Sequence, residues 1–307
     1  MRSSWQTEEK SPRPSPQGRL TIFVSGSSLQ ASFFLFRISI FSIFSNMRFQ
    51  ETPVLPRISV GSARAMYIGP GLALAPHFNV ATTIAVSLSD VFSLRIWSPK
   101  RGWSDWQKNR VAIIPSQTLH HLLSTGPMAF LYLDPLGDGR FEISRENLES
   151  GLRLLSDQYA SIGIRTAFEG FGLSGRKPVD VRIAKVVLEI ERHPHAFHSM
   201  QDAADLACLS PSRFRTRFSK EVGLPFRRYR LWRRMACVMR AMAHGHNLTE
   251  TALLSGFASS AHMSSAFKQM FGLTASDILA MGVSIEVTDE STKLPIVGVN
   301  TLPIAKS

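Results

Sequence analysis

Between residues 199 and 272 the apolar positions follow a helical rhythm that is written twice. In the first copy Ala203, Leu206 and Ala207 follow Ser199 and Asp202, a pair spaced as a capping box. After a turn at Cys208-Leu209, Ser210-Pro211 predicts a new helix: serine oxygen caps free amides, and proline already has the φ of a first helical position. Along that helix Phe214 and Phe218 share one face, while Arg213, Arg217 and their neighbours turn outward. In the second copy Asn247 and Glu250 form the capping pair, Met263 and Phe267 point inward, and Ser260, His262, Ser264 and Ser265 point outward. The offset is 48 residues at Asp202 and Glu250, Ala204 and Ala252, and Cys208 and Gly256. It becomes 49 at Phe218 and Phe267 and at Gly223 and Gly272. Two copies of one helix-turn-helix unit imply two equivalent outward surfaces.

Residues 226–244 join the copies without a proline. Tyr229, Trp232, Ala236, Met239 and Ala243 fall at steps of three or four, and Arg227, Arg228, Arg230, Arg233, Arg234 and Arg240 mostly occupy other faces, which predicts one amphipathic helix. Its nineteen residues at about 1.5 Å each would span about 28 Å, close to one turn of DNA at about 34 Å. Such a rod suits two helices entering successive major grooves, with linker arginines such as Arg228 reaching phosphates only.

The pattern upstream is different. Residues 81–88, 92–97, 110–115 and 128–133 are short runs rich in branched and aromatic side chains, separated by turn signals such as Gly102 and Asn109, and they predict strands. A helix starting at Ser144 or Asn147 then carries Leu148, Leu152, Leu155 and Tyr159 on one stripe, which reads as core or as a dimer seam. Gly170, Gly172, Gly175 and Pro178 mark a linker. Residues 282–307 hold β-prone runs around Ile285 and Ile296 to which no role is assigned. Residues 1–46 combine a Pro-Ser tract with a Phe-Ile-Ser stretch that Arg37 and several serines interrupt. That stretch falls short of the roughly 18 apolar residues of a membrane span and lacks a signal-peptide cleavage pattern. The segment is expected to be a tail or an upstream extension before Met47.

Charge sharpens this picture. The 307 residues carry 35 Lys and Arg against 23 Asp and Glu, a net +12, and residues 176–281 alone hold 16 against 8, a net +8. A basic face is often only solvated, but here it coincides with the repeated motif, so the arginines are expected to hold phosphates. Two cysteines, Cys208 and Cys237, are too few for a disulfide framework and lack metal-ligand spacing. They read as small buried residues in a reducing cytoplasm.

Residues 181–279 resemble the DNA-binding domain of the AraC/XylS family of bacterial transcription regulators. The matching residues are Leu209-Ser210-Pro211-Ser212, Phe214, Phe218 and Gly223-Leu-Pro225, then Arg234 and Ala236. They continue with Leu248-Thr249, Ala252, Gly256-Phe257, Ser260, His262, Phe267-Lys268 and Phe271-Gly272-Leu-Thr274. The resemblance implies that Ser212, Arg215 and Thr216, with Arg213 beside them, and Ser260, His262, Ser264 and Ser265 face base edges of double-stranded promoter DNA. It also implies RNA polymerase as a partner, a cytoplasmic location, and a possible homodimer. Three residues depart from the family pattern: Cys208 stands at a turn position where φ > 0 would cost about 1 kcal/mol, Met263 replaces an aromatic or leucine, and Ala275 replaces a proline.

The region of short strands is similar, more weakly, to the cupin-like sensor of the same family, through Gly69-Pro-Gly71, Pro76-His77, Ile113-Ile-Pro115 and His120. The expected fold is therefore α+β: a tail (1–46), a cupin-like β-barrel (47–140), a helical connector (141–178), an all-α double helix-turn-helix domain (179–281) and a C-terminal tail (282–307). A small-molecule effector in the barrel, touched by His77 and His120, follows as an expectation. A metal-dependent cupin enzyme is the alternative from another class, and a sequence-neutral architectural DNA protein is a third. Metal-binding cupins need two close histidines, a carboxylate and a later histidine, whereas Asn79 follows His77 and no acidic residue comes before Asp90. No metal, cofactor or catalysis is expected.

Overall fold

The computed structural model of the chain describes residues 21–22, 54–137, 143–288 apart from 174, 177 and 198, and 296–297. Apart from residues 21–22, the expected N-terminal extension lies outside the described residues. The strands come first: β1 (Thr21–Ile22), β2 (Arg57–Val60), β3 (Ala65–Gly69), β4 (His77–Phe78), β5 (Thr83–Ser87), β6 (Phe92–Ser98), β7 (Gly102–Trp103), β8 (Gln107–Asn109), β9 (Val111–Ile114), β10 (Leu119–Leu123) and β11 (Met128–Tyr132). They form two sheets. One runs β1-β9-β5-β11-β3-β2 and ends on a strand from the far end of the chain, β13 (Ser284–Val287); the other runs β4-β10-β6-β7, with β8 also on β6.

A closed barrel was expected, and the structure corrects this. Closure needs one ring of hydrogen-bonded strands. Here the outer edge of β2 is taken by β13 in parallel register, Ile285 opposite Ile58 and Val287 opposite Val60. The first sheet ends on β1 at one edge and β13 at the other, and the two sheets stay separate. The α+β class stands.

Helices cover the first sheet on its outer face. Helix α1 (Arg145–Gln158) is capped by Ser144, whose oxygen accepts from the Asn147 amide, and α2 (Ile164–Gly170) follows it. Leu148, Leu152, Leu155 and Phe168 pack with Met66, Ile68, Ile84 and Val86 in one buried cluster. The leucine stripe is thus consumed by the sheet and is not left open to a second copy. With both faces covered, every residue of β5 is buried, which is why its centre, Ile84-Ala85-Val86, is apolar on both faces instead of alternating.

The inner face packs with the C-terminal helices: α3 (Val181–Arg192), α4 (Met200–Leu206), α5 (Pro211–Val222), α6 (Phe226–Ala243), α7 (Leu248–Leu254), α8 (Ser260–Phe271) and α9 (Ala275–Ala280). Val60, Tyr67 and Phe130 from the sheet share one cluster with Trp232, Met239 and Phe267 from the helices. A short parallel bridge joins β12 (Val179–Asp180), just before α3, to β14 (Ile296–Val297). No helix among the described residues is long and apolar enough to cross a membrane.

Candidate nucleic-acid interface

The sequence repeat is a structural repeat. Helix α4 starts on the expected capping box, with the Asp202 amide donating to Ser199 Oγ at 3.2 Å and the Ser199 amide donating to Asp202 Oδ2 at 2.9 Å. Helix α7 starts on the same device, where Asn247 Oδ1 accepts from the Glu250 amide and the Asn247 amide donates to Glu250 Oε2. The turns match as well, with φ of +51° at Cys208 and +72° at Gly256. Cys208 thus carries the left-handed strain anticipated for it, while Gly256 carries none. The glycine is required for a second reason: a Cβ there would lie 2.6 Å from His195 Cβ.

Helices α5 and α8 are twelve residues each and both end on a left-handed glycine, Gly223 and Gly272. Their starts differ from expectation. Ser210 sits at the N-cap of α5 without a side-chain bond, leaving Pro211 to set the first turn, and Ser259, one residue before the expected start, caps α8 through the His262 amide at 3.1 Å. Phe214 and Phe218 point inward, where their rings meet Phe226 at 5.3 and 5.4 Å edge-on and so fix α5 to α6. Met263, Phe267 and Met270 do the same for α8. At its start, Ala275 in place of a proline is compensated in α9 by a capping box between Thr274 and Asp277.

The residues expected to face DNA lie on the outward side. Ser212, Arg213, Arg215, Thr216, His262 and Ser265 are exposed, and Ser260 and Ser264 are half-buried. Two have restricted freedom: Thr216 Oγ1 donates to the Ser212 carbonyl at 3.2 Å, and the His262 ring meets Phe257 edge-on at 5.4 Å. Arg217 is drawn off the outward face by Asp180, at 2.8 Å.

The linker helix holds the larger surprise. Helix α6 has eighteen residues, about 27 Å at the usual rise, but most of its cations are bound inside the molecule. Arg240 donates to the Gly61 carbonyl at 3.0 Å, Arg233 to that of Ser62, and Trp232 Nε1 to that of Ala63 at 3.2 Å, so three successive carbonyls of the β2–β3 turn grip one helix face. Arg234 donates to Ser255 and Gly256 and stacks at 3.8 Å over Phe257, which closes the turn of the second unit. Arg230 lies over Phe226. Burial lowers the pKa of Arg230 and of Arg234. Arg227 is exposed and Arg228 half-buried. Periodicity places a cation on a face but cannot tell a solvent face from one that docks on another domain.

In the N-terminal sheets, His77 and His120 are opposite each other on β4 and β10, buried, with ring centroids 4.2 Å apart. Each Nδ1 pairs with a carbonyl two residues back, of Ala75 at 2.8 Å and Thr118 at 2.9 Å. Burial, and the neighbouring His77, push His120 down to about 3; burial likewise lowers His77. Among the described residues no three His, Cys, Asp or Glu side chains gather as a metal site. An apolar cavity of about 70 Å³ lies elsewhere, in the seam between sheet and helices, lined by Val60, Tyr67, Phe130, Trp232, Met239 and Phe271 among others. Neither histidine lines it.

Two capped helix-turn-helix units on one connecting helix, beside a sheet domain, define a DNA-binding regulator. Residues 203–281 match the family described as a helix-turn-helix domain, and the chain carries this domain in its AraC-type form. No curated protein sequence matches the chain significantly. Among solved structures it is similar to ToxT from Vibrio cholerae, at 14% identity over 71% of this chain and 98% of that one, TM-score 0.46. It is also similar to unsaturated fatty acid bound ToxT from Vibrio cholerae, at 14% over 76% and 98%, TM-score 0.43. The DNA-binding domain of AdpA, in complex with a target DNA, is similar at 22% over 32% and 90%, TM-score 0.31.

Proposed function

We propose that this AraC-type regulator binds promoter DNA sequence-specifically, with α5 and α8 in adjacent major grooves. Ser212, Arg213, Arg215 and Thr216 meet one half of the site; Ser260, His262, Ser264 and Ser265 meet the other. The observation that carries this reading is the pairing of two helices of equal length, each with an exposed polar N-terminal half, on one rigid connecting helix. Arginine forking onto guanine contributes about 1–3 kcal/mol of discrimination, whereas a phosphate contact weakens all sequences alike and changes the salt slope by about one. Arg215→Ala is therefore expected to flatten preference at one base position, and Arg228→Ala to lower affinity across sequences with preference kept. Titrations against single-base-substituted duplexes decide this. Unchanged base preference in both Arg215→Ala and His262→Ala rejects the placement, and a footprint without any preferred site favours an architectural protein instead.

RNA polymerase is the partner such binding serves, and control by a small molecule is a further part of the proposal. Drug-sized ligands fill about 300–1,000 Å³, so the apolar seam, at about 70 Å³, admits an effector only by widening between sheet and helices. His77 and His120, which do not line that seam, remain a second candidate contact as buried polar groups between β4 and β10. Effector screening by thermal shift on the full chain, repeated on Phe130→Trp and on His120→Gln, tells the two locations apart.

A further inference from the structure

The second helix-turn-helix unit is tied to the rest of the chain at both ends. On one side it leaves α6 through His244-Gly245-His246, where Gly245 has φ +80° and open space around it. On the other, only three residues separate α9 from β13, and Gly282 among them has φ +62°. Strand β13 is then added to the edge of β2: Ser284 N donates to the Pro56 carbonyl at 3.0 Å and Thr288 N to that of Val60 at 2.9 Å. While β13 stays paired, α9 and the end of α8 are held against the sensor, and the Ala75 amide donates to the Gly272 carbonyl at 3.0 Å.

This pairing is thin. Four residues take part; Ile285 and Val287 are only half-buried, and Ser284 and Glu286 are exposed. Among the described residues its ion pair, Arg57 with Glu286, spans 3.8 Å with the glutamate half in solvent, and Ser59 Oγ donates to the same carboxylate at 3.3 Å. Ile285 and the preceding Val283 pack, partly buried, against the main core, but a parallel edge pairing of this length is a contact that can open without unfolding the sheet beneath it. The same β2 also carries the turn whose carbonyls hold α6, so one hairpin receives both attachments.

We propose that β13 is a releasable latch. Paired with β2, it pins α9 and the end of α8 to the sheet edge; unpaired, it leaves the second unit, still packed on α6 through Arg234, Phe257 and Phe267, without that attachment, so that α8 and α9 can shift on the sheet into register with the second groove. Release also opens the apolar seam, because α8 and α9 form one of its walls. The proposal rests on the two-groove reading for its link to DNA, but the latch itself is a property of the free protein.

Two full-length variants test it. Ile285→Asp with Val287→Asp removes the apolar hold of the strand without touching either recognition helix. Ser59→Cys with Glu286→Cys, at directly opposite positions, allows a disulfide across strands about 4.8 Å apart, and the single-cysteine variants control for Cys208 and Cys237. In the unlatched protein, hydrogen exchange at the Ala75 amide is expected to quicken at least tenfold while β5 and β11 stay protected. The oxidised, locked protein is expected to bind its preferred duplex at least fivefold more weakly, with recovery in dithiothreitol. Unchanged protection of Ala75, or equal affinity locked and reduced, overturns the latch. Failure of every variant to prefer any duplex counts against the two-groove reading alone, and the exchange arm still decides the latch.

Discussion

Arg176 offers the sharpest test of how the two halves are joined. It lies in the linker with a side chain 2% exposed, and donates through Nε to Asp134 at 2.7 Å and through Nη2 to Glu191 at 2.6 Å. Asp134 follows β11 of the N-terminal sheets and is 4% exposed; Glu191 belongs to α3 and also receives the Tyr229 hydroxyl at 3.3 Å, with Arg233 at 3.8 Å. One guanidinium thus neutralises carboxylates from both domains. The two carboxylates in turn raise its pKa against the opposing effect of burial. Arg176→Met keeps the volume and removes the charge. Breaking a buried pair from one side costs about 3–5 kcal/mol, because the partner stays charged and desolvated. Glu191 retains Arg233 and is 17% exposed, so the low end applies, about 3 kcal/mol or roughly 150-fold in the folding equilibrium. Urea unfolding followed by circular dichroism and by tryptophan fluorescence reads this loss. Adding Asp134→Asn to Arg176→Met is expected to recover part of it, since the uncompensated charge is then gone. A loss below about 1 kcal/mol, or a double variant no better than the single, refutes the reasoning.

Three further outcomes are expected. Gly256→Ala forces a side chain onto φ +72° and against His195, and should cost at least about 1–2 kcal/mol by the same unfolding assay. Cys208→Gly relieves the strain at φ +51°, partly offset by the freedom glycine adds to the unfolded chain, so thermal unfolding should show a gain of up to about 1 kcal/mol and no loss. His120 binds its proton less readily folded, at about 3, than at its ordinary 6.5. The unfolded chain therefore takes up the extra proton between those values. Stability should be full above about pH 6.5 and fall as the pH drops toward 3, by at most about 1.4 kcal/mol per unit from this group. His120→Gln should flatten that slope, and an unchanged slope would rule the histidine out as its source.

The two helix-turn-helix units were legible because everything that defines them is local. Capping boxes, the inward Phe214, Phe218, Met263 and Phe267, and the glycines closing α5 and α8 all act within a turn or two of helix, so spacing alone locates them. The strands β5, β6, β9 and β11 were legible for a similar reason, as short runs of branched and aromatic residues. Strands β2, β3 and β10 were missed: β2 carries polar residues such as Arg57 and Ser59, β3 a Met-Tyr pair, and β10 two histidines, and their strand character comes from neighbours on both sides.

Other features depended on which distant segments met. The linker helix was foreseen, but not that its Arg233 and Arg240 would end on carbonyls of the β2–β3 turn in place of phosphates. The leucine stripe of α1 was foreseen as core or seam, and the sheet beneath it decided for core. The barrel was expected to close, yet the strands form two separate sheets, and a strand from beyond residue 282 adds to the edge of β2. Local sequence specifies which groups cap, turn and point outward, since those energies act over three or four residues. Which edge pairs with which strand, and which cation finds a carbonyl before it finds a phosphate, is set by burial and hydrogen bonding between segments more than a hundred residues apart, and only the folded chain brings these together.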